Sequence, residues 1–223
     1  MEKYSSEWFL FHFKNHSISR WVASSASFYL LAMTKDSCRP FETSLPFKIN
    51  QWQDMAFFEE TESWHNKQNF LKIMSEKEHN GENCVTLVLN NQLVFVNFFG
   101  LNSKQSFFSD VGIKVLYPAN TTNQYSAYIH PQHRGKGIYQ IAKKFVSNYL
   151  FENTNTRLYV GAVRCDNRAA HKGQIASGLH SVARLERSCL FGNVTKSVFE
   201  LHPDYKLLAV EGEPASWRLE LIE

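Results

Sequence analysis

The sequence lacks several features that would assign a function class at once. No stretch approaches the roughly 18 consecutive apolar residues of a membrane-spanning helix, and the opening residues show no signal peptide. The 24 Lys and Arg residues are spread along 223 residues with a formal net charge of only +3, so no basic block predicts binding to nucleic acid or to a membrane surface. These absences favour a cytoplasmic protein.

Paired cysteines and metal-ligand clusters are also missing. The four cysteines are Cys38, Cys84, Cys165 and Cys189. They are far apart and form no CxxC pair, which excludes a zinc ribbon or a dithiol redox motif. Each is interpreted as a small packed hydrophobe, Cys165 included. His130 and His133 have no carboxylate or third ligand nearby in the sequence, so we predict no metal site.

The composition is that of a globular protein. Hydrophobic residues make up 43% and charged residues 20% of the chain, enough for a substantial core. No internal repeat or low-complexity linker divides it, so we predict a single domain over residues 1–223. Within it, residues 1–25 are expected to form a helical elaboration, residues 26–202 the core and residues 203–223 a C-terminal extension.

Aromatic residues crowd the N-terminal segment. They are Trp8, Phe9, Phe11 and Phe13. Residues 5–22 have the pattern of an amphipathic helix that covers one side of the core. Core packing is the ordinary interpretation of such a helix. A homodimer face and a pocket for a substrate remain alternatives.

Hydrophobic periodicity predicts the elements of the first half. Residues 26–33 (ASFYLLAM) form a buried strand. Residues 50–79 carry apolar side chains at helical intervals and predict two consecutive helices, stopped by Asn80 and Gly81. The stretch CVTLVLNNQLVFVNFF alternates apolar and polar residues around two asparagines, which is typical of a hairpin with a tight turn.

The second half predicts alternating strands and helices. A polar segment, residues 102–124, precedes the strand YSAYIH. Apolar residues at 138, 142, 145, 146, 149 and 150 then predict a helix. They are followed by the strand RLYVGAVR, the short helix AAHKGQIASG and the strands SVARLERSCLFG and TKSVFELH. We therefore predict an α/β (α+β) protein with a mixed sheet and helices on its faces.

The stretch HPQHRGKGIYQIAKKF, residues 130–145, joins a predicted strand to a predicted helix. A helix start has unpartnered N–H groups and a partial positive charge, so it stabilises an anion. Gly135 and Gly137 remove the Cβ atoms that would keep a phosphate away from these amides. Arg134 and Lys136 supply positive charge. The loop therefore favours a phosphate or pyrophosphate ligand.

Two common nucleotide loops do not match these residues. A P-loop requires Ser or Thr after GxxxxGK, but Ile138 follows Gly137. A dinucleotide fingerprint requires a third glycine where Gln140 stands, and an acidic residue after the next strand, where the chain reads VGAVRC. The remaining pattern is QxxGxG, which Gln132, Gly135 and Gly137 satisfy.

With Pro131 preceding RGKG, this segment resembles the GNAT superfamily of acyl-CoA-dependent N-acyltransferases. Members of that superfamily often carry an apolar residue, any residue, Pro, two residues and then RGxG. They also carry an asparagine after the next strand, an alanine three residues later and Gly-Phe further on. This chain has Asn167, Ala170 and then Gly178, followed by Leu179 instead of Phe. The resemblance spans residues 26–202 and is most specific over 125–180.

The resemblance implies a mixed, mostly antiparallel central sheet flanked by helices, and acetyl-CoA as the acyl donor. The residues that it implies for binding the donor are Ile129, His130, Gln132, Arg134, Gly135, Lys136, Gly137, Ile138, Tyr139 and Asn167. Amides of the loop are expected to hold the pyrophosphate. Backbone groups near Tyr128, Ile129 and His130 are expected to meet acetyl-CoA, and an N–H group on the strand that precedes the loop is expected to stabilise the oxyanion.

The resemblance also implies direct attack of an amine on the thioester, with a base for the amine and an acid for the departing thiolate. Members often use a tyrosine as the acid, but Gln174 occupies that position here. The nearest titratable candidates are His130, His171 and Tyr128, with Tyr139 either at the phosphates or in the core. A surface role or an ordinary hydrogen bond would equally explain either histidine.

The acceptor is expected to be a primary amine of a small molecule. The segments LPFKINQW and RGKGIY look, more loosely, like GNAT enzymes of surface-polysaccharide gene clusters, which would imply an amino sugar. The alternative is a non-catalytic module that kept the acyl-CoA site and lost the acid at Gln174.

Overall fold

The computed structural model describes residues 23–222, which contain twelve strands and three α-helices. The first strands are β1 (Ala23–Thr34), β2 (Lys48–Ile49), β3 (Asn83–Leu89), β4 (Gln92–Gly100), β5 (Gln105–Phe108) and β6 (Ile113–Leu116). The others are β7 (Thr121–Ile129), β8 (Leu158–Arg164), β9 (His180–Leu190), β10 (Asn193–Glu200), β11 (Tyr205–Ala209) and β12 (Ser216–Leu221). The helices are α1 (Lys67–His79), α2 (Ile138–Asn153) and α3 (Arg168–Ala176), with 3₁₀ turns at Trp52–Phe57 and Pro131–His133.

Eight strands form a large mixed sheet in the order β10-β9-β1-β8-β7-β4-β3-β2. Every neighbouring pair is antiparallel except β7 and β8, which run parallel. Helix α2 connects β7 to β8, as the crossover between parallel strands requires. The predicted fold class, a mostly antiparallel sheet with helices on its faces, is confirmed.

Helix α2 packs on the large sheet through the face that the sequence pattern predicted. Ile138, Ala142, Val146 and Leu150 recur every four residues and are buried. They belong to a core cluster that includes Phe95 of β4 and other side chains of the sheet. Apolar residues at this spacing share one side of a helix, so their burial holds the helix start against the ends of the strands.

A second sheet of four strands, in the order β11-β12-β6-β5, packs on the opposite side of the core. Its strands come from the polar segment 102–124 and from residues 203–222. The buried side chains Ile113, Leu207 and Leu219 join Leu158 and Leu185 of the large sheet in one cluster. The sequence analysis assigned no strands to these segments, because β5, β6 and β11 are only four or five residues long.

The segment 50–79 differs from the prediction of two α-helices. Its second part is helix α1, which ends at Asn80 as predicted. Its first part is the 3₁₀ turn Trp52–Phe57. A 3₁₀ turn aligns residues three apart, so Met55 and Phe58 both enter the core.

The predicted N-terminal helix with Trp8, Phe9, Phe11 and Phe13 lies outside the described residues. Residues 23–25, assigned to the same elaboration, belong instead to β1 and pair with β9. Between residues 23 and 222, none of the helices is long and apolar enough to cross a bilayer.

Candidate active site

The loop between β7 and α2 exposes the start of the helix. Gly135 and Gly137 have φ angles of 75° and 76°, the left-handed region that favours glycine. Gly137 is the N-cap of α2 and provides no side chain for its first amides. A Cβ atom on either glycine would meet no atom within 4 Å. The two glycines are therefore required by the backbone, and the space in front of the helix start is open.

The strands on either side of α2 separate at their ends. β7 and β8 are paired only over Thr121–Asn123 and Leu158–Val160, although β7 continues to Ile129 and β8 to Arg164. The gap between them opens into a cavity of about 710 Å³, closed by the first turns of α2 and by α3. The cavity thus joins the open helix start to the gap between the strands.

Many of the sequence-predicted residues meet in this cavity. Those that line it are Tyr128, Ile129, Arg134, Gly135, Gly137, Ile138, Tyr139 and Asn167. Asn167 also caps α3, since its side chain accepts the N–H of Ala170 at 3.1 Å. None of the described lining residues is Asp or Glu, whereas Arg134, Lys143 and Arg164 are basic. The cavity therefore suits an anionic ligand.

Other predicted residues lie outside the cavity. His130 is fully buried; its Nδ1 accepts the Gln132 N–H at 3.3 Å, and its Nε2 lies 3.3 Å from the carboxylate of Glu59. His171 contacts Ser181 through Nε2 at 2.8 Å and stacks on a tyrosine ring. Gln132 and Lys136 are exposed on the loop. Both histidines thus have structural partners away from the gap between β7 and β8.

Arg134 is tied to the segment before α1. Its guanidinium donates two hydrogen bonds to the carboxylate of Glu62, at 3.1 and 2.9 Å, and one to the carbonyl oxygen of Ile129 at 3.3 Å. The hydrogen bond from Arg134 lowers the pKa of Glu62. This bidentate pair fixes the guanidinium at the cavity mouth and offsets its charge.

A β-bulge interrupts β7 beside the cavity. The pairing of β4 with β7 shifts between Asn97↔Ala127 and Phe98↔Tyr125, which leaves Ser126 as the extra residue, with φ 48°. The Asn97 side chain donates to the carbonyl oxygen of Tyr125 at 2.8 Å and to that of Ser126 at 3.4 Å. A bulge releases backbone groups from the ladder. The bulge residue Ser126 and its neighbours Tyr125 and Ala127 line the cavity.

Backbone groups near Tyr128 to His130 were expected to meet the acyl donor, and the oxyanion N–H group was expected on the same strand. The N–H of His130 donates to the carbonyl oxygen of Val94 at 2.9 Å, so it is already used in the sheet. The bulge at Ser126 is a site that the sequence analysis missed. No glycine marks it, and a serine at positive φ has no sequence signal of its own.

Polar side chains form the floor of the cavity. The Lys143 Nζ donates to Asn97 Oδ1 at 2.7 Å and to Gln124 Oε1. The Tyr159 hydroxyl also donates to Gln124 Oε1, at 2.7 Å, and Gln124 Nε2 donates to Gln174 Oε1 at 2.8 Å. Burial lowers the pKa of Lys143 well below its ordinary value.

Gln174 is therefore a buried part of this network, at the position where the resemblance implied an acid. The hydroxyl of Tyr139, on the first turn of α2, hydrogen-bonds the Gln174 side chain, and burial raises the pKa of that hydroxyl. Gly173 makes room for the ring, because a Cβ there would lie 2.7 Å from it. Tyr139 thus places a protonated hydroxyl beside Gln174.

The sequence contains a signal for Lys143 that the analysis did not use. Lys143 is five residues after Ile138 and seven before Leu150, which places it beside Leu150 on the apolar side of a helix with 3.6 residues per turn. A lysine on that side is expected to be buried and to need polar partners. Those partners, Asn97 and Gln124, come from other strands and are not visible in the local pattern.

Solved structures provide comparisons for the fold. A GNAT-family acetyltransferase from Colwellia psychrerythraea matches with a TM-score of 0.50 and 14% identity, over 81% of this chain and 57% of that one. A conserved protein of unknown function from Staphylococcus epidermidis matches with a TM-score of 0.49 and 9% identity, over 90% and 69%. A tandem GNAT protein of the clavulanic acid biosynthesis pathway matches with a TM-score of 0.47 and 12% identity, over 75% and 54%.

The chain thus spans little more than half the length of the Colwellia protein. No protein-family model and no curated protein sequence matches it. At this level of identity the structural similarity concerns the fold. The chain has the fold of the GNAT-family acetyltransferases.

Proposed function

We propose that this chain is a single N-acyltransferase domain that transfers an acetyl or related acyl group from acyl-CoA to a small-molecule amine. The observation that carries the proposal is the open start of α2, with Gly135 and Gly137 at positive φ, facing a cavity of about 710 Å³. The cavity lining, in the described residues, has cationic side chains and no carboxylate. This arrangement fits a pyrophosphate followed by an elongated arm.

The residues fit the donor in a definite order. Amides from Arg134 to Tyr139 would hold the pyrophosphate, with Lys136 as a nearby positive charge, because unpartnered N–H groups at a helix start bind anions. The gap between β7 and β8 would hold the pantetheine arm. The acyl-CoA donor supplies an activated carbonyl group. Backbone amides at the Ser126 bulge, which lines the cavity, would stabilise negative charge on its oxygen.

Proton transfer needs an acid for the departing thiolate. Tyr139 has a hydroxyl in the cavity lining that burial keeps protonated. It lies beside Gln174, so we propose that it replaces the acid that Gln174 cannot provide. Tyr128, which also lines the cavity, is the second candidate. His130 and His171 would act only through other groups, because neither lines the cavity.

The acceptor is proposed to be a primary amine of a small molecule, with an amino sugar as the narrower hypothesis. We also propose a cytoplasmic location. The second candidate function is a non-catalytic acyl-CoA-binding module. Gln174 favours it, because a buried amide in a hydrogen-bonded network does not titrate.

Two measurements test the proposal. Thermal unfolding with and without acetyl-CoA tests binding, since a ligand that binds only the folded chain raises its stability. Release of the CoA thiol, measured with amino sugars, polyamines and peptides as acceptors, tests turnover. Stabilisation with turnover supports the transferase, and stabilisation without turnover on any amine supports the binding module. No stabilisation at high acetyl-CoA concentration would contradict both.

A further inference from the structure

The cavity holds one basic side chain that has no carboxylate partner among the described residues. Arg134 pairs with Glu62, and Arg164 donates to Asp110 at 2.8 Å and to Asp166 at 3.0 Å. Lys143, the third basic residue of the described lining, has the amide oxygens of Asn97 and Gln124 as hydrogen-bond acceptors and the Tyr139 ring centroid 5.1 Å from its Nζ, and no carboxylate partner among the described residues. It is 1% exposed. Isolated lysines are rarely buried, because burial penalises the charged form.

The two amides are oriented to receive hydrogen bonds from Lys143. Asn97 turns its NH₂ group towards the bulge carbonyls, and Gln124 turns its NH₂ group towards Gln174. Each therefore presents its oxygen to Nζ. A protonated Lys143 would have three N–H donors. Two would meet these amide oxygens, and the third would have only the face of the Tyr139 ring, 5.1 Å from Nζ. An anion that enters the cavity would supply the missing acceptor and the counter-charge.

Lys143 lies close to the place where the acyl group of the proposed donor would be held. One side-chain amide, that of Asn97, bonds both Nζ (2.7 Å) and the carbonyl oxygen of Tyr125 at the bulge (2.8 Å). A thioester carbonyl held at the bulge would place its acyl chain a few bond lengths from Nζ. An acyl chain that ends in a carboxylate would then supply both the counter-charge and the third hydrogen-bond acceptor.

We propose that Lys143 selects acyl donors whose short acyl chain ends in a carboxylate, such as succinyl-CoA or malonyl-CoA, over donors with an apolar chain. This inference rests on the proposed acyl-CoA site and names the acyl group that the site prefers. The carboxylate pairs with the Lys143 ammonium, and Asn97 and Gln124 hold that ammonium in place. The apolar stem of Lys143 remains packed along α2.

The test compares two donors of equal chain length. Succinyl-CoA and butyryl-CoA both carry four acyl carbons and differ in the terminal carboxylate, so calorimetric titration of each onto the purified chain isolates that group. We expect succinyl-CoA to bind at least about tenfold more tightly, as charged hydrogen bonds in buried sites do. The Lys143→Met variant should reduce this ratio to about one.

Lys144→Met is the matched control, because it removes the neighbouring amine, which lies 5.4 Å from the Phe41 ring, outside the cavity. It should keep the full preference. Titration of the wild-type chain in two buffers of different ionisation enthalpy gives a readout that needs no variant. Burial lowers the pKa of Lys143, so at a pH above this lowered pKa succinyl-CoA should bind with uptake of a proton, and butyryl-CoA without it.

The outcomes separate this inference from the proposed function. Binding of butyryl-CoA and succinyl-CoA with equal affinity would overturn the inference alone, as would a preference that persists in Lys143→Met. The inference would also be overturned if Lys143→Met lowered the rate of acyl transfer only with amine acceptors that carry a carboxylate. The carboxylate that Lys143 binds would then belong to the acceptor and not to the donor. Failure of every acyl-CoA to bind would overturn the proposed function with it.

Discussion

Replacing Gly137 by alanine distinguishes an effect on donor binding from an effect on the stability of the fold. Gly137 has φ 76° and Gly81, at the end of α1, has φ 70°; a Cβ on either would meet no atom within 4 Å. Alanine at such an angle costs about 1–2 kcal/mol of stability. In a chain of this size that loss lowers the melting temperature by roughly 2–8 °C. Gly137→Ala and Gly81→Ala should therefore be destabilised alike.

Binding of acetyl-CoA should distinguish the two variants. The new Cβ at 137 lies in front of the amides that would hold the pyrophosphate, so we expect a loss of affinity of about tenfold or more, equivalent to about 1.4 kcal/mol. Gly81→Ala should keep the wild-type dissociation constant. Calorimetric titration and thermal unfolding of both variants give the two quantities. Unchanged affinity in Gly137→Ala, or an equal loss in both, would refute the pyrophosphate site.

Two further predictions concern the cavity floor. Tyr139→Phe should lower kcat of acyl transfer by about 100-fold or more, as loss of a general acid does, with little change in the Kd of acetyl-CoA. Tyr159→Phe removes a hydroxyl from the same network outside the cavity lining and should keep kcat, so equal losses would show a structural role. For Lys143, the unfolded chain keeps its proton up to the ordinary pKa of about 10.4, while the folded chain releases it at lower pH. The wild-type free energy of unfolding should therefore rise relative to that of Lys143→Met as the pH increases towards this ordinary pKa, by up to about 1.4 kcal/mol per pH unit. Urea unfolding at a series of pH values measures the difference, and a constant difference would contradict a lowered pKa of Lys143.

Local sequence patterns predicted the turns and helices whose conformation depends mainly on neighbouring residues. Asn90 and Asn91 have φ angles of 50° and 59° in the hairpin between β3 and β4, because asparagine tolerates the left-handed region that this turn requires. The four-residue spacing from Ile138 predicted helix α2. The second sheet was missed because its strands are stabilised by contacts between segments about 100 residues apart, such as β6 with β12. Short strands carry too little pattern to show such pairing.

The candidate site also contains some features that the sequence predicts and others that depend on tertiary contacts. Gly135, Gly137 and Asn167 were predictable, because positive φ and helix capping restrict the residue type at one position. The bulge at Ser126 and the partners of Lys143 were not, because they depend on the register of β4 against β7 and on Gln124 reaching under α2. His130 stood next to the motif in sequence, but its ring packs away from the cavity and caps a 3₁₀ turn.

A crystal structure of the chain in complex with CoA tests the central proposal most directly. We predict pyrophosphate oxygens within hydrogen-bond distance of backbone N–H groups of residues 135–139, and a pantetheine arm in the gap between β7 and β8, reaching the bulge at Ser126. CoA bound at another surface, or an empty gap at a saturating concentration of CoA, would contradict it.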